Sequence, residues 1–193
     1  MSRTARYKIV YFTMLFGGAV LAGAAFVVFR LSPLAVVTVL IGALIPGRIL
    51  GFFWRDLLKG LRLLNAREYP ESKRSSERFL VEVHKRPWIR KLIWLGASTY
   101  SRDPEVIALN NLGAAEMQLG EHDAARRHLN QAIALDPLCP LPFVTLGIMA
   151  RQAGDSAEAA RCFAEARRLG YAHGLLDRIV RASQTRFAET DGR

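Results

Sequence analysis

Residues 106–139 read VIALNNLGAAEMQLGEHDAARRHLNQAIALDPLC, and residues 140–173 read PLPFVTLGIMARQAGDSAEAARCFAEARRLGYAH. The second stretch repeats the first at an offset of 34 residues. The matching positions are Leu109 with Phe143, Leu112 with Leu146, Gly113 with Gly147, Gly120 with Gly154, Ala125 with Ala159, Leu129 with Phe163, Ala132 with Ala166 and Leu135 with Leu169. A fixed period of this size, with small residues recurring where helices must touch, predicts stacked helical hairpins, which bind other proteins rather than perform chemistry.

Each unit is predicted to contain two helices joined by a turn at glycine. The expected helices cover residues 105–119, 123–135, 142–153 and 156–169. Gly113 and Gly147 lack side chains at the places where the two helices of a hairpin would meet. The fold class predicted for this part of the chain is therefore all-α.

Residues 106–173 resemble two tetratricopeptide repeats. The resemblance rests on Leu-Gly in each first helix, glycine in each turn, alanine opening each second helix, and Leu129 or Phe163 at the large buried position. It covers about a third of the chain. The family pattern is not kept where tryptophan is usual, where tyrosine is usual, and at the closing proline of the second unit; these positions are Leu109 and Phe143, Glu116 and Ala150, and Tyr171. The departures suggest a looser terminal repeat.

In this family the first helices line a concave groove that binds a peptide or a helix. The resemblance therefore implies a partner-binding groove formed by Asn110, Asn111, Ala114, Met117, Gln118, Val144, Thr145, Ile148, Arg151 and Gln152. Asn111 lies where some members hold the backbone of a bound peptide, although an exposed helical asparagine is also ordinary. Members that bind chaperone tails need several basic residues in the groove, and only Arg151 is present here.

Two apolar stretches near the amino terminus predict membrane spans. Residues 9–29 are 21 positions without a charge, close to the ~20 that cross a bilayer as a helix. Residues 31–50 form a second apolar stretch, interrupted only by Pro46, Gly47 and Arg48. Because the connection between them is so short, the two spans would form an antiparallel transmembrane hairpin. A cleaved signal peptide ending near residues 22–24 is the alternative for the first span, and a re-entrant segment is the alternative for the second.

The basic residues predict which side of the membrane the module occupies. Positive side chains flank both ends of the predicted hairpin, whereas its turn holds only Arg30, so both termini and the repeat module are expected in the cytoplasm. Residues 1–102 contain 17 Lys and Arg against 5 Asp and Glu, and residues 103–193 contain 10 against 12. The net charge of +10 therefore belongs to the membrane-proximal half, which favours anionic lipid over nucleic acid as its partner.

Residues 51–65 are predicted to form an amphipathic helix lying in the membrane interface, or a helix that prolongs the second span into the headgroups. The expected lipid-headgroup contacts are Arg48, Arg55, Lys59 and Arg62. Residues 70–76 are predicted to be a polar linker, and residues 77–100 two short helices broken at Pro87 that cap the repeats or touch the membrane. The domains are thus 1–69, 70–105, 106–173 and 174–193, the last being a capping helix and tail.

No motif for catalysis or metal binding is recognisable in the sequence. Cys139 and Cys162 are expected to be reduced thiols, and the four histidines are scattered without zinc-ligand spacing. Phosphate loops, nucleophile elbows and nucleotide-binding glycine signatures are missing. We therefore predict no catalytic residues, no metal and no cofactor.

The pattern as a whole predicts an integral membrane adaptor or assembly factor of the bacterial inner membrane, with its two-repeat module in the cytoplasm. Its partners would be a protein or peptide in the groove, the anionic bilayer, and other membrane subunits. The alternatives are a small structural subunit of a larger membrane complex and a membrane-shaping hairpin protein.

Overall fold

A computed structural model describes residues 13, 17, 51–95, 101 and 103–171 of the chain. Every regular element in residues 51–95 and 103–171 is helical, which confirms the all-α class. The elements are α1 (Arg55–Asn65), α2 (Tyr69–Lys85), a 3₁₀ helix (Pro87–Leu95), α3 (Pro104–Gln118), α4 (His122–Leu135), α5 (Leu141–Gln152) and α6 (Ser156–Arg168). None of the helices in these residues has the length and apolarity needed to cross a bilayer. The predicted transmembrane hairpin and the predicted helix after residue 173 lie outside the described residues.

The two repeat units fold as the helical hairpins α3–α4 and α5–α6, with helix ends within a few residues of those predicted. Aspartates cap the amino-terminal ends of α3 and α6. The amide of Glu105 donates to the Asp103 carboxylate at 2.9 Å, and the amide of Glu158 donates to the Asp155 carboxylate at 2.8 Å. A proline in the first turn of α3 and of α5 suits a position whose amide has no helical partner.

Glycine permits the close approach of the two helices within each repeat. A Cβ atom at Gly113 would lie 2.7 Å from Cγ of Leu129, and one at Gly147 would lie 2.6 Å from Cε1 of Phe163. Both distances are far inside ordinary van der Waals contact. The large side chain of the second helix therefore packs directly on the backbone of the first, as the sequence predicted.

Helices α1 and α2 form a third hairpin of the same design, which the sequence analysis did not predict. Its offset from the first repeat is 53 residues, so that Gly60 corresponds to Gly113. A Cβ atom at Gly60 would lie 2.9 Å from Oγ of Ser76. Arg67, with φ of 65°, occupies the place of Gly120, whose φ is 80°. A non-glycine residue rarely adopts this left-handed conformation, so its recurrence at the equivalent position marks the same turn.

The backbone hydrogen bonds of the two turns confirm this equivalence. In the turn after α1 the amides of Ala66, Arg67 and Glu68 donate to the carbonyls of Arg62, Leu64 and Leu63. In the turn after α3 the amides at the same offset, Leu119, Gly120 and Glu121, donate to the carbonyls of Ala115, Met117 and Glu116. All six donor-to-acceptor distances lie between 2.9 and 3.2 Å. The described array therefore contains three stacked hairpins.

The prediction that residues 70–76 form a polar linker is wrong, because they are the opening turns of α2. Pro70 lies in the first turn, where proline is tolerated, and Ser72, Ser75 and Ser76 are buried against α1. The hydroxyl of Ser72 donates to the Gly60 carbonyl at 2.9 Å. The polar composition of the segment thus reflects small side chains at a tight helix contact, and the domain boundary expected between residues 69 and 70 falls inside a packed hairpin.

The α1–α2 hairpin and the 3₁₀ helix together cover the open side of the first repeat. Trp54, Leu57, Phe79, Val83 and Ile89 pack in one cluster with Ala108 of α3. The break at Pro87 occurs where it was predicted, since α2 ends at Lys85. The capping role expected for the described part of residues 77–100 agrees with this packing.

We expect Gly147→Leu to destabilise the array by roughly 1–3 kcal/mol, because the new side chain has to displace the Phe163 ring. Ala160→Leu is the matched control, since Ala160 is exposed on α6. Thermal melting of the full chain in detergent measures both variants. Equal melting temperatures for Gly147→Leu and the native chain would show that the second hairpin is not packed in this way.

We expect the two thiols to differ in reactivity towards iodoacetamide in the folded chain at pH 8. Cys139 is buried between the repeats with Val106, Leu109 and Ala132, and burial raises its pKa to about 12. Roughly one Cys139 thiol in ten thousand is then a thiolate at pH 8. Cys162, half-buried on α6, should be alkylated first, and peptide mass spectrometry measures the order. Faster labelling of Cys139 than of Cys162 would contradict this packing.

Candidate partner-binding surface

The predicted groove residues divide into a buried half and an accessible half. Gln152 is exposed, and Ala114, Gln118, Ile148 and Arg151 are partly exposed. The remaining five are buried: Asn110, Asn111, Met117, Val144 and Thr145. The structure therefore reduces the surface available to a partner to one side of α3 and α5.

The buried half holds the first helices of the two repeats together. The hydroxyl of Thr145 donates to Oδ1 of Asn110 at 3.0 Å, in a buried hydrogen bond between α5 and α3. Met117 packs with Leu129 and Leu146, and Val144 packs in the cluster of Phe163. These side chains set the spacing of α3 and α5 and are not themselves open to a ligand.

Asn111 is 3 % exposed, and its Nδ2 atom has no hydrogen-bond partner among the described residues. The prediction of a groove residue and its alternative, an ordinary exposed asparagine, both assumed an accessible side chain, whereas the structure buries it. An unsatisfied buried amide donor is unfavourable by about 1–3 kcal/mol. It is also a donor that a carbonyl group reaching into the structure could satisfy.

The accessible half combines two apolar side chains, two amides and a cation. The guanidinium of Arg151 lies 5.8 Å from the centroid of the Phe163 ring, so the cation is held over the core of the second repeat. Gln118 and Gln152 are equivalent at the 34-residue offset and present two amides along the array. A surface of this kind suits a peptide or helix held by modest apolar contact and a few hydrogen bonds.

Arg55, Lys59 and Arg62, three of the expected lipid contacts, are all exposed on α1 at positions one turn apart. Arg48, the fourth, lies outside the described residues. At the 53-residue offset these three correspond to Ala108, Leu112 and Ala115, which are all buried, and Ala108 packs in the cluster that the α1–α2 hairpin forms on α3. The basic residues therefore occupy the face on which a further hairpin would stack, and we call this the end face.

A buried charged network joins the first two hairpins, and the sequence analysis did not identify it. Glu116, 2 % exposed, lies 2.7 Å from Nδ1 of His128 and 3.8 Å from Nζ of Lys73. Lys73 also forms an ion pair with Glu121, and the hydrogen bond between them raises the pKa of Lys73. The only signal in the sequence was a glutamate at the position where the resembled repeats have tyrosine. This network connects α2, α3 and α4.

A second network ties the 3₁₀ helix to the start of α3. The guanidinium of Arg90 forms an ion pair with the buried Glu105 and lies 3.8 Å from the Asp103 carboxylate. His84 of α2 approaches Glu105 at 3.5 Å. Burial raises the pKa of Asp103, while the charge of Arg90 opposes that shift. Both networks therefore join side chains of the α1–α2 hairpin or the 3₁₀ helix to α3.

An open cleft of about 490 Å³ is lined by residues of α2, α3 and α4, none of which belongs to the predicted groove. It is lined by Leu80, His84, Glu105, Leu109, His128, Gln131, Ala134 and Leu135. In the part of the chain that the structure covers, no three His, Cys, Asp or Glu side chains are grouped to hold a metal ion.

Comparison with known proteins agrees with the hairpin geometry. The model of the family "Tetratricopeptide repeat" matches residues 106–138, the first of the two repeats. No curated protein and no solved structure matches the chain. Tetratricopeptide repeats bind protein or peptide partners and are typically scaffolds without enzymatic activity, which suggests an interaction role for this module. The family model thus identifies one tetratricopeptide repeat at residues 106–138, and the structure places a helical hairpin of the same design on each side of it.

Proposed function

We propose that this protein is a membrane-anchored adaptor or assembly factor that holds a protein partner beside the bilayer. The observation that carries the proposal is the accessible half of the groove. Packing between α3 and α5 uses Asn110 and Thr145 but leaves Gln118, Ile148 and Gln152 at least partly open along the array. A repeat protein whose first helices keep such a surface is suited to binding an extended or helical segment.

The membrane part of the proposal is supported by the sequence that precedes the described array. Two apolar stretches, residues 9–29 and 31–50, precede the array, and the second ends immediately before Gly51. The distribution of basic residues favours a hairpin with the repeat module in the cytoplasm, and we propose the bacterial inner membrane as its location. A partner bound in the groove would then be concentrated within a few nanometres of the bilayer.

We expect Gln118→Lys combined with Gln152→Lys to release the partner without changing the melting temperature. The two amides lie at equivalent groove positions, and two added charges would repel or desolvate a bound segment. Asn130→Lys combined with Ala164→Lys is the matched control, because these residues are also separated by 34 positions but are exposed on α4 and α6.

The measurement is purification of each variant from native membranes, with quantitative mass spectrometry of the proteins retained. A protein kept by the native chain and the control but lost by the groove variant supports the adaptor. If both variants retain every partner equally, the groove is not the binding site. A membrane protein retained by both would instead favour the alternative of a structural subunit in a larger complex.

Reporter fusions test the orientation. A cytoplasm-active reporter fused after Arg193 should be active and alkaline phosphatase at the same point inactive, because the positive flanks remain on the cytoplasmic side. Alkaline phosphatase fused after Arg30, in the predicted turn, is the matched control and should be active. Phosphatase activity after Arg193 would replace the hairpin with a single span.

A further inference from the structure

The end face of the array carries three positive side chains, whereas the three equivalent positions of α3 carry no charge. Arg55, Lys59 and Arg62 project from α1 where the equivalent residues of α3 are small or apolar and buried. Solubility alone would be served by charges of both signs on an exposed helix face. Three cations on consecutive turns of one helix instead form a positive surface.

Exposed aromatic side chains border this positive surface. Phe52 is 71 % exposed and Trp88 is 46 % exposed. Phe53 lies between them, with ring centroids 5.2 Å from Phe52 and 4.8 Å from Trp88, both in edge-to-face geometry. The three rings form one aromatic cluster contributed by the start of the α1 hairpin and by the 3₁₀ helix. Aromatic rings beside basic side chains are typical of surfaces that enter the headgroup region of a bilayer.

The charge of the described chain is graded along the array. Residues 51–95 contain eleven Lys and Arg against five Asp and Glu, whereas residues 103–171 contain six against nine. Arg86 is paired with Glu82 at 3.1 Å, and Lys91, three residues after Trp88 in the 3₁₀ helix, is exposed. The array thus has a positive end and a slightly negative remainder, which would orient it near an anionic surface.

We propose that the end face and the aromatic cluster seat on the surface of an anionic bilayer, so that the array stands end-on to the membrane. The partner chemistry follows from the positive charge beside exposed rings, and from the second apolar stretch, which ends at residue 50, two positions before Phe52. The 3₁₀ helix then has two roles, since Ile89 caps the repeats while Trp88, its neighbour, contacts lipid. The proposal deepens the membrane part of the proposed function and names the surface that carries it.

Fluorescence quenching by brominated lipid tests the seating. The full chain is mixed with vesicles of phosphatidylcholine and about 30 % phosphatidylglycerol, in which part of the phosphatidylcholine is brominated near the top of its acyl chains. The chain has three tryptophans, of which Trp54 is buried in the core. The difference in quenching between the native chain and Trp88→Phe gives the contribution of Trp88. We expect this substitution to remove about a third or more of the quenched emission.

Charge reversal identifies the electrostatic part of the contact. Each basic residue next to an anionic surface strengthens attachment about fivefold. Lys59→Glu combined with Arg62→Glu should therefore reduce the Trp88 contribution by about half or more, as should replacing phosphatidylglycerol with phosphatidylcholine. Arg127→Glu combined with Arg161→Glu, on exposed positions of α4 and α6, is the matched control and should change it little. Quenching unaffected by Trp88→Phe, or an equal effect of the two double variants, would overturn the seating.

Extraction with alkaline carbonate separates this proposal from the anchoring itself. A chain that resists extraction but shows no Trp88 quenching is anchored in the membrane without end-face contact. That result would overturn the end-face proposal and leave the membrane anchor intact. A chain that is extracted, yet has Trp88 quenched only in anionic vesicles, binds the bilayer peripherally. That result would contradict the transmembrane hairpin and support the end-face contact.

Discussion

The described array depends on close contact between two helix backbones at one glycine in each hairpin. Gly60, Gly113 and Gly147 are the three positions where an added Cβ would overlap the opposite helix. The contact fixes the distance between the helices of each hairpin, and that distance determines which side chains can fill the remaining space. In the two repeats the side chains of Leu129 and Phe163 fill the space opposite the glycine. In the α1–α2 hairpin Ser76 faces the glycine, and the large side chain is Phe79, at the position equivalent to Ala132. The same constraint is thus met by two arrangements of large and small residues.

Stacking of the hairpins adds a second constraint, because polar groups are buried between them. Glu116 is almost completely removed from solvent and keeps its contacts with Lys73 and His128 only if α2 and α4 keep their positions beside α3. Removing one member of such a group leaves a buried charge without compensation, which is strongly unfavourable. The Thr145 to Asn110 hydrogen bond acts similarly between the repeats. These interactions define the register of stacking more sharply than apolar contact would, since apolar side chains tolerate sliding.

The period of 34 residues made the repeats predictable, and the positions of Gly113, Gly147, Leu129 and Phe163 followed from it. The 34-residue period did not reveal the α1–α2 hairpin, for three physical reasons. Its offset is 53 residues because the 3₁₀ helix intervenes, its turn uses Arg67 in the left-handed region instead of glycine, and serine replaces alanine at the tight contact. Hydropathy therefore suggested a polar linker where small side chains were needed. The division of the groove into buried and accessible halves was also beyond the sequence, since it depends on how far α3 and α5 are apart.

The third hairpin changes how the two proposed binding surfaces relate to each other. At the 53-residue offset, Leu61 and Asn65 of α1 correspond to Ala114 and Gln118 of α3, and both are exposed. The groove side of the array therefore continues onto α1, while Arg55, Lys59 and Arg62 point from the same helix towards the end face. A single helix thus borders both surfaces without sharing a residue between them. If the end face rests on lipid, the groove stays open beside the bilayer, and a partner bound there contacts the part of the module closest to the membrane. This separation allows both surfaces to be occupied at once, which an adaptor requires.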